Sequence, residues 1–314
     1  MFFTEKIAEV GYGDLNGYEK KYYRKIYQAI QNGSVSAVLS GLFKMDVLER
    51  IVTALSYDHI ELFYVDFKHI FCTASARGMV YHIPYTVRPE MRNIWQQNMK
   101  RWVESAIRQM QITEKEPAFN IYRKVHNYLV RNVSYDYEAF QNPDQYPEAF
   151  HIGGVLSKRK AVCEGISKVF KLLCNCAGAE NVYIMEGQSL QENEGKPIPH
   201  VWNVVKAEAL YSHIDVTWDL CFSAASRQNR YDYFMIPDDW MRLDHIYTGR
   251  FECRTGELTY FVQEKCLITN VKELSAFVQR ELERKKSVLY FKIVSKNGFP
   301  RDIDSRVQEL VQSM

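Results

Sequence analysis

No stretch of this 314-residue chain approaches the roughly 18 consecutive apolar residues that a membrane-spanning helix needs, so no membrane partner is expected. The start, MFFTEKIAEVGYGD, carries Glu5 and Glu9 behind a short apolar beginning. It lacks the basic segment and long apolar stretch of a signal peptide, and as given the chain is expected to be soluble and cytoplasmic. Neither sign of charge dominates: 40 Lys and Arg against 38 Asp and Glu leave +2. With no basic stripe either, a nucleic-acid partner is excluded. There is no repeat of solenoid period and no low-complexity tract. The seven cysteines are odd in number, scattered, and include no C-x2-C pair. Cys174 and Cys176 lie in a helical pattern, where side chains two apart diverge. Reduced thiols are therefore expected, with no disulfide frame, no metal and no cofactor.

What is present reads as globular. Apolar residues make up 46% and charged residues 25%, close to the average for folded domains. The length suggests about two domains. It also suffices to bury roughly three-quarters of the unfolded surface without a covalent staple. The 21 Tyr, 17 Phe and 5 Trp point to broad contact faces, since tyrosine covers a half-exposed surface while keeping a polar tip.

Periodicity predicts a helix over 15–31, with Tyr18, Tyr22, Ile26, Tyr27 and Ile30 in register before Asn32-Gly33, and another over 46–55. The β-branched and aromatic runs 59–71 and 78–87 read as an antiparallel pair. A long amphipathic helix follows Pro89, and TEKEP at 113–117 is the candidate boundary. The next helix carries Ile121, Tyr122, Val125, Leu129 and Val130 and ends near Asn132. Past residue 250 the pattern is strand, helix (271–285), strand (288–294) and a terminal helix after Pro300. The expected organisation is an N-terminal α+β domain (1–112), a core (113–250) and a small C-terminal α+β appendage (251–314).

The chemistry concentrates between 155 and 220. In AVCEGISKVFKLLCNCAG (161–178), the apolar positions from Ile166 follow helical spacing and Gly178 supplies the stop. Cys163 then falls in the first turn of a buried helix, where the positive end of the dipole favours a thiolate. Downstream, HVWNVV (200–205) and LYSHIDVTWD (210–219) read as two strands joined by the four residues 206–209. That loop sets Val205 opposite Leu210, Val204 opposite Tyr211 and His200 opposite Asp215, with Cβ atoms roughly 4.5–5.5 Å apart.

A thiolate nucleophile needs a base that takes and returns a proton, and the base needs a carboxylate to fix its tautomer and stabilise its cation. Cys163, His200 and Asp215 supply those roles in order, and the Cys163 amide is a candidate oxyanion donor. His213 shares the face of Asp215 and is the competing base. Trp202, two residues after His200 and so on its face, either roofs the site and binds substrate or packs in the core. Trp218 and Asp219 are expected to close the sheet, Tyr135 and Asp136 to form a cap or turn, and Glu164 to face solvent.

The run V-C-E-G at 162–165 followed by a helix, H-V-W-N at 200–203 and H-I-D-V-T-W-D at 213–219 resemble the core of the transglutaminase-like superfamily. NVSYDYEAF (132–140), DHIELF (58–63) and YDYFMIPDD (231–239) resemble its bacterial branch. The likeness covers about 115–245 well, the N-terminal part loosely and the C-terminal appendage barely. It implies an α+β, papain-like fold, with the cysteine helix packed on an antiparallel sheet that bears the other two residues. It also implies a Cys163–His200–Asp215 triad acting on a peptide or protein amide through a thioester, and it places His200 as the base. The animal cross-linking enzymes have G-Q-C-W where this chain has Ala161-Val162-Cys163-Glu164, and no calcium-type cluster of acids at alternate positions is present. Hydrolysis by a peptidase or amidase is therefore expected over amine cross-linking. The competing expectation is a catalytically silent fold that binds proteins through its aromatic terminal parts. The sequence fixes neither the substrate nor an oligomeric state.

Overall fold

The computed structural model describes residues 10–41, 43–190 and 196–294. The terminal helix expected after Pro300 lies outside them. The chain divides into two compact units, 1–254 and 255–314. Residues 1–112, expected as a domain of their own, share the first unit with the core, and the second begins at Thr255 against the expected 251.

The helix Gly17–Gln31 starts with a reciprocal cap. Asn16 Oδ1 accepts from the Glu19 N–H at 3.0 Å, and Glu19 Oε2 accepts from the Asn16 N–H at 3.0 Å. Helices Met45–Asp58 and Pro89–Gln109 also stand where their periodicity puts them. The expected antiparallel pair 59–71 with 78–87 forms in part: Val65 bridges Tyr85 and Phe71 pairs with His82. Strands β1 (Ser36–Leu39), β2 (Phe71–Ser75) and β3 (Gly78–His82) make a small sheet ordered β1-β3-β2. Ile60–Leu62 forms a short 3-10 helix, and Ile60, Leu62, Phe63, Tyr64 and Val65 are buried. Residues Leu62, Phe63, Tyr64 and Val65 are apolar in succession, with no alternation to mark a strand.

Residues 113–117 form the turn into the helix Ala118–Asn132. The two-residue strands β4 (Ser134–Tyr135) and β5 (Lys160–Ala161) pair in parallel and lead into the helix Cys163–Cys176. That helix lies on a five-stranded antiparallel sheet made of β6 (Val182–Leu190), β7 (Pro197–Ala207), β8 (Leu210–Ile214), β9 (Phe234–Ile236) and β10 (His245–Ile246), ordered β10-β6-β7-β8-β9. Helix and sheet are pinned at one place: Ser167 Oγ donates to the Val201 carbonyl at 3.1 Å, and Asn203 Nδ2 donates to the Ser167 carbonyl at 3.2 Å. This is the α+β, papain-like arrangement that the sequence implied.

The β7–β8 register differs from the expected one by two residues. Ala207 pairs with Leu210 and Val205 with Ser212, so the turn is Glu208–Ala209 rather than four residues. Glu208 takes a left-handed φ of 56° to close it. Strand β8 also stops at Ile214. The expected strand residues 216–219 instead open the helix Val216–Ser226, because Asp215 Oδ1 accepts from the N–H groups of Thr217 and Trp218 at 2.9 and 3.1 Å and caps it.

In the second unit, β11 (Leu267–Ile268) pairs in parallel with β12 (Lys292–Ile293), with the helix Val271–Glu283 between them. No described helix is long and apolar enough to cross a membrane.

Candidate active site

Cys163 begins its helix with Val162 as N-cap residue, and only 9% of it is exposed. The first turn is pressed against the chain at 149–151. A Cβ on Gly165 would meet the Ala149 carbonyl oxygen at 2.3 Å, so this glycine is required by close approach. Glu164 does not face solvent. It is 13% exposed and bridges Lys168 at 2.7 Å and Lys68 at 3.0 Å. Burial resists its charge, yet the two ammonium groups hold its carboxyl below the ordinary range.

His200 lies on β7 and is buried. Its Nε2 is 2.6 Å from Asp215 Oδ2. The two-residue change of register leaves face parity intact, so His200 and Asp215 still meet, diagonally rather than directly opposed. Burial opposes the imidazolium, but the charge and hydrogen bond of Asp215, joined by a hydrogen bond and charge from Cys163, raise its pKa to about 10. The carboxylate is held well below its ordinary range despite complete burial, chiefly by His200 and then by His245. With Nε2 committed to Asp215, Nδ1 is the ring nitrogen left for the thiol. The three expected residues are thus brought together. Burial pushes the thiols of the other six cysteines up.

Trp202, expected to bind substrate, is fully buried. It does share the face of His200, stacked near-parallel at 5.9 Å. That face, however, is covered by a second core of Tyr183, Met185, Val204, Tyr233, Met241 and Tyr247, so the indole backs the imidazole rather than roofing a cleft. Its N–H donates to His213 Nδ1 at 3.0 Å. That bond leaves the proton of a neutral His213 on Nε2, which faces Asp238 Oδ1 at 3.0 Å. His213 therefore has no free nitrogen for a thiol.

Trp218 and Asp219 do not close the sheet. They lie in the first turn of the helix Val216–Ser226, and buried Asp219 is bonded to His126 Nε2 at 2.9 Å and to the Tyr233 N–H at 3.1 Å. Asp136 does cap a short helix, accepting from the Ala139 N–H at 3.1 Å.

Two neighbours, Tyr57 and His245, escaped sequence reasoning, and Tyr135, expected in a cap or turn, is a third group beside the site. Tyr135, delivered by β4 beside β5, has its phenol pushed up by burial and then by the charge of Cys163. Tyr57, at the end of the helix Met45–Asp58, is pushed up by burial, Glu164, Glu186 and Cys163 and hydrogen-bonds Glu186. His245, on edge strand β10, reaches Asp215 Oδ2 at 3.2 Å. The adjacency Asp244-His245 was visible in the sequence, but no periodicity tied it to Asp215. A cavity of about 300 Å³ opens beside the first turn of the Cys163 helix, lined in part by Phe67, Lys68, Pro147, Phe150, Glu164 and Lys168.

Among the described residues, two groups have three donor atoms close enough for an ion: His200, Asp215 and His245, and His213, Asp238 and Cys253. In the first group each donor is engaged by hydrogen bonds to the others. In the second, the proton fixed on His213 Nε2 leaves no lone pair for a cation.

Residues 105–216 match the family model described as the transglutaminase-like superfamily. Over 101 residues the chain is 27% identical to the Kyphoscoliosis peptidase of Mus musculus, an alignment spanning 31% of this chain and 15% of that protein's length. A solved structure described as "Crystal structure of a TGase" aligns at 13% identity with a TM-score of 0.29, over 58% of this chain and 50% of that one. The matched segment contains Cys163, His200 and Asp215, and over it the chain is similar to the core of the transglutaminase-like superfamily.

Proposed function

We propose that this protein breaks or exchanges a peptide or protein amide through a thioester on Cys163, with His200 as acid–base group and Asp215 as its carboxylate. The observation that carries the reading is one buried imidazole whose Nε2 is 2.6 Å from a buried aspartate, with Cys163 near enough to help raise the same ring. The Cys163 sulfur attacks the amide carbonyl as a thiolate paired with the His200 imidazolium. His200 then gives its proton to the departing amine as the C–N bond breaks, leaving the acyl group on sulfur. Water attacks the thioester, its proton passes to His200, and the acid leaves as the thiolate re-forms. The Cys163 N–H, in the first turn and without an intrahelical partner, is the proposed oxyanion donor.

Transfer of the acyl group to water is favoured over transfer to an amine. The nucleophile segment Ala161-Val162-Cys163-Glu164 departs from the cross-linking pattern, and the mouse relative carries the name peptidase. No cofactor enters the scheme.

Two measurements test it. With iodoacetamide followed by peptide mass spectrometry, Cys163 should be labelled far faster than the six thiols that burial pushes up. Equal, slow labelling of all seven would instead favour a protein-binding module. With protein substrates and a labelled primary amine, fragments without incorporation support hydrolysis and incorporation supports transfer. Both products should vanish in Cys163→Ala.

A further inference from the structure

His245 is bonded at both ring nitrogens to carboxylates. Nδ1 is 2.6 Å from Asp244 Oδ1, and Nε2 is 3.2 Å from the Asp215 oxygen that also receives His200. An ionised carboxylate only accepts hydrogen bonds, so an imidazole held between two of them carries both protons and a positive charge. His200 differs, because one of its nitrogens is left for Cys163.

We propose that His245 is a charged positioning residue of this site: an imidazolium that holds Asp215 from a second strand and sets the pH range over which Cys163 and His200 exchange their proton. The proposal rests on Cys163, His200 and Asp215 being the reactive set.

The surroundings of His245 support it. Its side chain is fully buried, and its ring is walled by Trp202 at 5.2 Å, Trp218 at 4.9 Å and Tyr233 at 5.5 Å. The titratable groups around it are Asp215 at the start of its helix, His200 on β7, His213 on β8, Asp244 beside it, and Tyr233, whose hydroxyl donates to the other Asp244 oxygen. Burial opposes the charge, but the bonds to Asp215 and Asp244 outweigh it and hold His245 above the ordinary imidazole range. The influence reaches its neighbours: the charge of His245 helps hold Asp215 ionised and contributes to the lowering of His213. Edge strand β10 fixes the position, with His245 paired to Ser189 and Ile246 to Gln188. The geometry gives a relay of charge, Cys163–His200–Asp215–His245–Asp244, in which a cation stands behind the triad carboxylate. A positive charge there lowers every proton affinity at the reactive pair.

The test is the pH profile of Cys163 alkylation by iodoacetamide in the native protein and in His245→Gln, which can still donate to Asp215 but carries no charge. Both inflections of the profile should move up by about one pH unit. Fast native labelling with an unshifted profile in the variant overturns the role of His245 alone. Slow native labelling, equal to that of the other cysteines, overturns the reactive set and this role with it. A second measurement needs no folded His245 variant. In the native protein labelled with 15N-histidine, the His245 ring should show two protonated nitrogens at pH 7, above the ordinary imidazole value of about 6.5, and a neutral ring there overturns the proposal. Its signal is the one lost in His245→Gln or, should that variant not fold, the one displaced in Asp244→Asn, a change at a side chain 29% exposed.

Discussion

His200 and His213 are both buried histidines on adjacent strands. Each is bound through Nε2 to an aspartate, and each touches Trp202. Their chemistry diverges because of what meets the other nitrogen and how deep the carboxylate lies. Asp215 is fully buried and serves two imidazoles and two backbone N–H groups. Asp238 is 23% exposed and shares its oxygens among His213, the Tyr247 hydroxyl and the Cys253 N–H. The first arrangement raises its histidine and leaves a nitrogen facing sulfur. In the second, burial outweighs the diluted carboxylate, His213 is lowered, and the indole N–H takes its remaining lone pair. A histidine–aspartate pair is therefore not in itself a catalytic feature; the occupant of the second nitrogen decides.

The sharpest way to break this contrast is to neutralise each carboxylate in turn. Asp215→Asn keeps an oxygen for the helix cap but removes the charge on His200. It should slow alkylation of Cys163 by roughly 10²–10⁴-fold, by analogy with neutralised triad aspartates, whereas Asp238→Asn should change that rate by less than about twofold. Equal losses would sink the distinction.

The next effect is on stability. Trp202→Phe keeps the stacking ring but strands His213 Nδ1 in the core. Urea denaturation should show a loss of about 1–3 kcal/mol, with Cys163 still labelled.

The two imidazoles should also give opposite pH dependence of stability. His200 is raised on folding, so its contribution is fully present below about pH 6.5 and is lost as pH rises towards about 10. His213 is lowered, so its contribution is present above about pH 6.5 and is lost as pH falls below that. His200→Gln should flatten the alkaline side of a melting-temperature profile and His213→Gln the acid side.

The smallest expected change is at the turn that sets the register of both strands. Glu208→Gly should relieve the left-handed φ and raise the unfolding free energy by about 0.5 kcal/mol, with no change in labelling.

Much of the site was legible in the chain. The helical spacing from Ile166 with Cys163 ahead of it, and the parity linking His200 to Asp215, survive in the structure. Parity tolerated the wrong loop length because an even slip keeps every side chain on its face. Asp215 was misread as a strand residue, although its side chain caps a helix, since a capping aspartate and a strand-end aspartate look alike in one dimension. Trp202 was placed on the correct face, but which core covers that face depends on segments beyond residue 230. Glu164 is held inward by Lys68, nearly a hundred residues away.

Local patterning, by itself, chose the elements and named the thiol, the imidazole and the carboxylate, because helix spacing, strand alternation and capping act within a few residues. Tertiary structure alone decided which imidazole faces sulfur, which tryptophan is buried, and that His245 stands behind Asp215. Those outcomes depend on which nitrogen of a ring finds a partner, and the partners come from strands and helices that only the packed fold brings within hydrogen-bonding distance.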